Sequence, residues 1–438
     1  TPGEPYVTLR EPGVYELSLT VINNAGGTVT SSVNCVVTLE APPPSPAGTR
    51  HVAVHNMNPT SPYTTWETAA TNIQDAVAVA ADNDMIWVAP GVYRASPTST
   101  DFETVTNVVH INKPLVMRAL SGRDVTIIDG QGLHRGVLIQ YFGSTEDMFV
   151  VDGFTVTNAV AEGVRLDSTG NNSWTGAVHN CLITDGASGY GIQNSRPGVS
   201  SYSVSMIVSN TIVRHNPDRG IYVNPTTGSG SAPRSWITDT VIENNLGGGF
   251  STRRGVHIFD RCIVRGNTSP DNGGGLNNQL ATIIMYNSLV YGNDAANRGG
   301  GFYPNHNSGP LSIYNSTIVS NTSSTTGAGI YQYNNPVINV VNSIVYDNRR
   351  HNGDLANLYG TVNLTNSIVG GDGVNDPSFV DAEAVNYKLG AGSIALDAGL
   401  YETWMDTSFD LDGNPRIMQG IVDIGCYERP DFSMAVDH

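Results

Sequence analysis

Two stretches of the chain, GGGLNNQLATIIMYNSLV (273–290) and GGGFYPNHNSGPLSIYNSTIV (299–319), repeat one pattern of glycines, short apolar strands and an asparagine. Within it, a glycine followed by an apolar residue recurs every 26 to 29 residues through the middle of the chain. Self-similarity at such a period indicates a repeat architecture. Seven pairs mark the repeat: Gly163-Val164, Gly191-Ile192, Gly220-Ile221, Gly249-Phe250, Gly275-Leu276, Gly301-Phe302 and Gly329-Ile330.

An asparagine or aspartate lies in phase with the repeat, between two short strands in which apolar and polar residues alternate. These residue types tolerate the left-handed backbone conformation that a tight bend requires, so the column predicts a bend in each coil. Arg261 occupies the position in one coil. The other members are Asp152, Asn180, Asn210, Asp239, Asn287, Asn315, Asn342 and Asn366.

Each repeat of about 27 residues holds three short strands and cannot bury a core by itself, whereas stacked repeats bury a shared core. We therefore predict an all-β fold, a right-handed parallel β-helix of about ten coils over residues 50–375. A propeller would need blades of about 40 to 50 residues, and leucine-rich repeats would need their leucine pattern. Neither pattern is present.

The two ends of such a stack expose strand edges that need a cover. Thr71 and Gln74 have the spacing of a capping box, and the apolar residues after them fall on one helical face. We predict an N-terminal capping helix of about ten residues at this point. Residues 376–430 are expected to form a C-terminal coil and cap, with a last strand over 421–428.

Residues 1–40 differ in kind from the repeat. Strand candidates at 6–9, 13–21 and 33–39 amount to half of a β-sandwich, so we predict a partial sandwich domain. The proline-rich segment 41–49 is typical of a stiff, extended linker.

The composition excludes several classes of function. The chain has 438 residues, of which 14% are charged, and a formal net charge of −17. This charge repels phosphate backbones and anionic lipid, which argues against nucleic-acid and membrane-surface binding, and no segment is apolar enough for membrane insertion. The four cysteines are too scattered for a disulfide framework or a zinc site, so we expect free, buried thiols.

Two segments near the N-terminus resemble known families. Residues 11–39, with Gly13-Val14-Tyr15, resemble the second half of a PKD domain, which is an extracellular sandwich module. Residues 72–134, with Val88-Ala89-Pro90-Gly91-Val92-Tyr93, resemble the N-terminal cap and first coil of pectate-lyase-like β-helix proteins. The second resemblance implies the same fold as the repeat.

Residues 376–428, with Ser393-Ile394-Ala395-Leu396-Asp397-Ala398-Gly399, are similar to the choice-of-anchor Q region of secreted bacterial β-helix proteins. This resemblance implies a bacterial protein that is extracellular or held at the cell surface. It implies no reaction, because pectate-lyase-like folds include lyases, hydrolases, esterases and non-catalytic surface proteins.

Outward side chains of the strands that begin at the glycine pairs form a long row suited to an extended polymer. Tyrosines, amides and arginines in this row can contact sugar rings and hydroxyls, although an ordinary polar sheet face would have the same composition. We name this row the stripe, and its ten residues are our candidates for substrate binding: Arg165, Asp167, Tyr222, Asn224, Arg253, Asn277, Tyr303, Asn305, Tyr331 and Tyr333.

Calcium is the one cofactor that the sequence suggests. Asp410, Asp412 and Asn414 have the alternating spacing with which short acidic and amide side chains converge on a hard cation. The distal glutamate of a calcium loop is missing, so the alternative is a turn tied by an ion pair from Arg416 to Asp423 or Glu428.

The sequence leaves two functions open, and it does not decide whether the protein is an enzyme. The first is a protein that binds polysaccharide along the stripe and cleaves it by a lyase-like or hydrolase-like reaction. Arg253 and its neighbour Arg254 would then bind an acidic sugar. No catalytic residue can be assigned from the sequence. The second is a non-catalytic surface, adhesive or filament-forming protein with chain-to-chain contacts through residues 1–40.

Overall fold

The computed structural model describes residues 13–22, 28–37, 48–95, 105–168, 173–194, 204–224, 233–305, 309–334, 336–418 and 420–429. The chain divides into two compact units, Thr1–Ala47 and Gly48–His438.

The first unit contains an antiparallel hairpin. Its strands are Gly13–Ile22 and Thr28–Val37, and they pair from Gly13 opposite Val37 to Ile22 opposite Thr28. The two later strand candidates thus fall in a hairpin whose second strand begins earlier than expected, and the partial sandwich itself stays a prediction. The third strand candidate, at 6–9, and most of the predicted linker lie outside the described residues.

The second unit is a parallel β-helix, as predicted. Its three long sheets contain twelve, eleven and ten strands, and successive strands of one sheet come from successive coils. Sheet 1 contains Thr49–Val52, Asp84–Val88, Leu115–Ala119, Met148–Asp152, Thr175–His179, Ser205–Ser209, Arg234–Thr238, Val256–Asp260, Thr282–Tyr286, Leu311–Tyr314, Ile338–Val341 and Asn363–Thr365.

The chain passes from sheet 1 to sheet 2 and then to sheet 3 in each coil. Sheet 2 contains Gly91–Tyr93, Thr126–Asp129, Thr155–Thr157, Leu182–Thr184, Ile212–Arg214, Val241–Glu243, Ile263–Arg265, Leu289–Tyr291, Thr317–Val319, Ile344–Tyr346 and Ile368–Gly370. Sheet 3 contains Asn107–Ile111, Arg135–Gln140, Glu162–Asp167, Tyr190–Asn194, Ile221–Val223, Phe250–Thr252, Leu276–Asn278, Phe302–Pro304, Ile330–Tyr331 and Leu358–Tyr359.

Two small sheets complete the described strands. A four-stranded parallel sheet lies between sheets 2 and 3 along the chain, and a short antiparallel hairpin follows the last coil. Their strands are Thr268–Ser269, Asp294–Ala295, Thr322–Ser323 and Arg349–Arg350 in the first, and Phe379–Asp381 and Asn386–Leu389 in the second.

The capping helix at the N-terminal end is confirmed over Ile73–Val79. It buries Ile73, Ala76 and Val77 against the core of the first coils. The predicted capping box was wrong by one residue, because the side chain of Asn72 accepts the hydrogen bond from the backbone N–H of Asp75. Asn72 has the extended backbone of an N-cap residue, which places Thr71 outside the cap.

The bend column is confirmed from Asn180 to Asn366, whose φ angles are 53° and 45°. In the coil before Asn180 the prediction was wrong, because Gly153 (φ 84°) makes the bend and Asp152 pairs with His179 as the last residue of its strand. Glycine carries no Cβ and adopts this conformation without steric cost. Asp152 still joins the column, since its carboxylate accepts a hydrogen bond of 2.7 Å from the side-chain amide of Asn180.

A second asparagine column, which the sequence analysis missed, runs through the interior at the bend after sheet 2. Each side-chain amide donates to the side-chain oxygen of the next member at 2.8 or 2.9 Å; the members lie one coil apart, except that Asn357 follows Asn348 by nine residues in the same coil. All members are buried. We name this column the inner ladder, and it contains Asn216, Asn245, Asn267, Asn293, Asn321, Asn348 and Asn357.

The inner ladder explains the glycine repeat from which the fold was predicted. A Cβ atom on Gly220 would lie 2.7 Å from the side-chain nitrogen of Asn245 and 2.8 Å from the carbonyl oxygen of Gly249. A Cβ atom on Gly249 would likewise lie too close to the side-chain nitrogen of Asn267 and to the carbonyl oxygen of Gly275. Each glycine of the repeat therefore leaves the space that the asparagine and the backbone of the next coil occupy.

The C-terminal segment, residues 376–429, packs along the side of the last coils rather than as a further coil. The backbone N–H of Gly425 donates to the carbonyl of Asn342 at 2.9 Å. The ring of Trp404 packs against Tyr286 of sheet 1 with centroids 4.7 Å apart. The predicted last strand over 421–428 was wrong, because the backbone there turns to bring its N–H groups to carboxylates, as in the bond from Asp423 to Glu428.

The cysteines within the described side chains, Cys181, Cys262 and Cys426, are buried and free, as expected. Within the described part of the chain, no helix is both long and apolar enough to span a membrane.

Candidate functional site

The stripe lies along sheet 3, and the strand register places its members Arg165, Tyr222, Asn277, Tyr303 and Tyr331 in one column, coil by coil. Arg165 pairs with Gln193, and Gln193 pairs with Tyr222. The same column continues through Ser251, Asn277, Tyr303 and, one coil on, Tyr331. Successive members are therefore separated by the strand spacing of about 4.8 Å, and the stripe is a straight row.

The start of the stripe is a buried ionic cluster. The guanidinium of Arg165 lies 3.7 Å from the carboxylate of Glu162 and 3.3 Å from that of Asp167. Glu162 also forms an ion pair with Arg135, whose guanidinium donates to the side-chain oxygen of Asn107 at 2.8 Å. The charges of two arginines and two carboxylates thus compensate one another in a site that is shielded from water.

Four of the ten candidates are buried, namely Arg165, Asp167, Tyr303 and Tyr331, and burial corrects the interpretation of the first two. The side chains of Arg165 and Asp167, which we expected to face a polymer, are each 3% exposed. They hold this part of sheet 3 together through charges that come from two adjacent coils, with the amide of Asn107 from a third. Arg135 and Glu162 were not selected from the sequence, although Gly136-Val137 continues the glycine repeat one coil before Gly163.

The middle of the stripe combines tyrosine with arginine. The rings of Tyr190 and Tyr222 stack with centroids 4.9 Å apart, and the guanidinium of Arg219 lies 5.0 Å from the ring of Tyr222. Burial raises the pKa of the Tyr222 hydroxyl, although the positive charges of Arg219 and Arg253 oppose this effect. The hydroxyl therefore stays protonated at neutral pH and can donate a hydrogen bond.

The far end of the stripe is a tyrosine cluster around Arg298. The guanidinium of Arg298 lies 5.2 Å from the ring of Tyr331 and 5.6 Å from that of Tyr333. Tyr359 extends the column beyond the predicted stripe, since it pairs with Tyr331 and stacks on it with centroids 4.5 Å apart. Tyr303 and Tyr331 are only 5% and 7% exposed, so the half-buried Tyr333 and the exposed Tyr359 are the tyrosines of this cluster that a ligand can reach.

Unpaired positive charge accompanies the open part of the stripe. Arg253 is exposed and Arg254 half-buried, and neither forms an ion pair within the described ranges of the chain. The same holds for Arg298, which is half-buried beside the tyrosines. Most other arginines of the β-helix are paired, as Arg94 is with Asp129 at 3.0 Å. An anionic ligand would supply the missing partners.

The predicted calcium residues form a closed turn. Asp410 is fully buried, and its carboxylate accepts backbone hydrogen bonds from Asp412 at 2.9 Å, from Asn414 at 2.7 Å and from Glu428 at 2.7 Å. Asp412 is paired with Lys388 at 2.6 Å. These backbone N–H groups and the Lys388 ammonium already occupy carboxylate oxygens that a cation would need. The residues as placed therefore do not fit calcium, and the calcium site expected from the sequence stays a prediction.

The alternative interpretation of that segment matches the geometry. The guanidinium of Arg416 forms a buried ion pair of 3.0 Å with Glu428 and donates to the carbonyl of Asp423 at 2.7 Å. Burial raises the pKa of Glu428 to about 8, and the positive charge of Arg416 opposes this effect. Over the described stretches of the chain, no three His, Cys, Asp or Glu side chains are arranged to hold a metal ion.

Comparisons with known proteins identify the fold. No family model matches the sequence, and no curated protein matches it either. Among solved structures, the chain is similar to pectate lyase Pel9A, with a TM-score of 0.58 and 14% identity over 87% of this chain and 96% of that chain. It is also similar to a rhamnogalacturonan lyase, with a TM-score of 0.52 and 14% identity over 78% of this chain and 94% of that chain. The second unit therefore has the parallel β-helix fold of these two polysaccharide lyases.

Proposed function

We propose that the protein binds an extended acidic polysaccharide along the open part of the stripe, from Tyr222 to Tyr333. The observation that carries this proposal is the set of arginines without a carboxylate partner, Arg253, Arg254 and Arg298, beside a row of tyrosines and amides. On a chain with a net charge of −17, unpaired arginines on one face favour an anionic ligand at that face.

Each part of the open stripe has a role in this proposal. Arg253 and Arg298 bind carboxylates of the polymer, because a guanidinium can donate two parallel hydrogen bonds to one carboxylate. Asn224, Asn277 and Asn305 are half-buried and in reach of sugar hydroxyls along the same row. The buried cluster of Arg165 and Asp167 fixes the strands at the start of the row rather than contacting the polymer.

The two structural neighbours are both lyases of polysaccharides, which supports a polysaccharide as the ligand class. Cleavage is a separate question, because the carboxylates at the start of the row, Glu162 and Asp167, are both engaged by Arg165 in a buried cluster. The proposal is therefore binding, with an elimination or hydrolysis reaction as an additional outcome of the same experiment. An extracellular or cell-surface location fits a polysaccharide ligand and forms part of the proposal.

The experiment is incubation of the purified protein with acidic and neutral polysaccharides, with and without calcium, while bound polymer, unsaturated products and reducing ends are measured. We expect retention on an acidic polymer, and a loss of about tenfold in affinity for Arg253→Ala. Arg94→Ala is the matched control, because it removes the same charge at sheet 2. Retention of a neutral polymer alone, or equal losses in both variants, would refute the proposal. No retention at all would favour the non-catalytic surface protein.

A further inference from the structure

The two ends of the β-helix differ in how their outermost strands are covered. The helix Ile73–Val79 closes the N-terminal end and buries its apolar face against the first coils. The other end terminates in Leu358–Tyr359, Asn363–Thr365 and Ile368–Gly370, which are the outermost strands of sheets 3, 1 and 2. Within the described residues, no strand pairs with the outer edge of any of these three.

The interior of the last coil is open to solvent. Leu364 is in register with Val340, which is fully buried, yet Leu364 is 46% exposed. Its strand neighbours Asn363 and Thr365 are exposed as well. Val362 packs against the core from the same end and is only half-buried. Within the described residues of the second unit, the core of the β-helix therefore ends in an apolar face rather than under a cap.

The C-terminal segment leaves this face uncovered because it packs along the side of the coils. The side-chain amide of Asn366 donates to the carbonyl of Ala398, and the backbone N–H of Cys426 donates to the hydroxyl of Thr317 at 3.3 Å. Both contacts lie at the corner between sheets 1 and 2, to the side of the open end. The segment thus stabilises the last coils laterally.

The open end lacks the features that usually protect a strand edge. Natural edge strands avoid pairing by carrying charged residues or proline. Residues 355–371, which form the last coil, contain no Asp, Glu, Lys, Arg, His or Pro, and the carboxylates that flank them, Asp354 and Asp372, are each paired with an arginine. In a chain of net charge −17, this uncharged end is a surface at which two copies can meet without like-charge repulsion.

We infer that two copies of this chain associate end to end through their last coils, residues 355–371. The helix Ile73–Val79 blocks head-to-tail stacking, so the open end of one copy meets the same end of the other. A two-fold axis then pairs the outermost strands of the two copies in antiparallel fashion and buries Leu364 of both. Such an isologous interface closes on itself, so the assembly stops at a dimer.

The inference is independent of polysaccharide binding, and its test is the mass of the purified full chain by light scattering and sedimentation equilibrium over a range of concentrations. We expect twice the mass of one chain, and the mass of one chain for Leu364→Asp. Val362→Asp, on the same end, serves as a second variant if Leu364→Asp does not fold. Leu246→Asp, whose leucine is 60% exposed on an earlier coil, is the control and stays dimeric.

Two results would overturn the inference. One is a monomer for the wild-type chain at every concentration. The other is a dimer that survives Leu364→Asp and Val362→Asp, and in that case loss of the dimer in Ile394→Asp, where the isoleucine is 52% exposed on the C-terminal segment, would locate the interface there instead.

Discussion

The side-chain amide of Asn245 donates a hydrogen bond of 2.9 Å to the side-chain oxygen of Asn267, one coil further along the β-helix. The same oxygen of Asn267 accepts the backbone N–H of Asn245 at 3.1 Å. Both residues are fully buried, so each member of the inner ladder satisfies groups that water cannot reach.

Asn267→Ala should therefore lower the free energy of unfolding strongly. The change leaves the buried amide and N–H of Asn245 without an acceptor, and each such group costs about 1–3 kcal/mol. We expect a total loss of about 3 kcal/mol or more in denaturant unfolding monitored by circular dichroism. Asn58→Ala, at an exposed position, is the control and should change stability little. Equal losses in the two variants would contradict the role of the inner ladder.

Glu162→Gln should destabilise the protein because it leaves Arg135 and Arg165 buried with less compensating charge. Removing one partner of a buried ion pair costs about 3–5 kcal/mol. Asp354→Asn breaks the exposed pair with Arg350, at 3.2 Å, and should cost less than about 1 kcal/mol. The comparison of the two unfolding free energies tests whether the start of the stripe is structural. A stable Glu162→Gln variant with reduced polymer binding would show instead that Glu162 serves the ligand.

Glu428 should make stability depend on pH. Burial raises its pKa to about 8 from the ordinary 4.5 of a glutamate, so the folded state holds a proton that the unfolded state releases between these values. The contribution of this group is therefore present at low pH and is lost as the pH rises from 4.5 towards 8. The free energy of unfolding of the wild type should therefore fall across this range relative to that of Glu428→Gln, which has no proton to lose, whereas the exposed Glu146→Gln should follow the wild type. A parallel pH profile for all three proteins would contradict this assignment.

Calcium should leave the thermal stability unchanged, because the Asp410 carboxylate already accepts three backbone hydrogen bonds. A ligand that binds the folded state alone would raise the melting temperature with concentration. Melting curves in millimolar calcium and in a chelator should therefore coincide. A rise in calcium that disappears in Asp412→Asn would restore the calcium site that the spacing suggested.

Much of the fold could be predicted because the repeat is local in sequence. The glycine pairs fix the register of sheet 3, and the bend column marks the turn between sheets 1 and 2. The inner ladder was missed because its members follow sheet 2, outside the glycine pairs and the bend column, although Asn267 and Asn293 keep the same spacing as Gly275 and Gly301. Tyr359 was missed because Asn357 stands where the repeat has glycine.

The candidate site could be predicted only in part, because burial depends on side chains from neighbouring coils. The outward direction of Arg165 follows from alternation along its strand. Its partner Glu162 lies at the start of the same strand, whereas Arg135, which also pairs with Glu162, lies on another strand. The unpaired state of Arg253 and Arg298 likewise depends on where every carboxylate lies. Alternation fixes the direction of a side chain, whereas only the three-dimensional arrangement fixes its partners.

The most direct test of the account is the dissociation constant of an acidic polysaccharide, measured by titration calorimetry for the wild type, for the double variant Arg253→Ala/Arg298→Ala, and for Arg94→Ala. If the open stripe binds the polymer, the double variant should lose about a hundredfold in affinity, whereas Arg94→Ala should bind as the wild type does. Added salt should weaken binding by the wild type more than binding by the double variant. Unchanged affinity in the double variant would contradict the account.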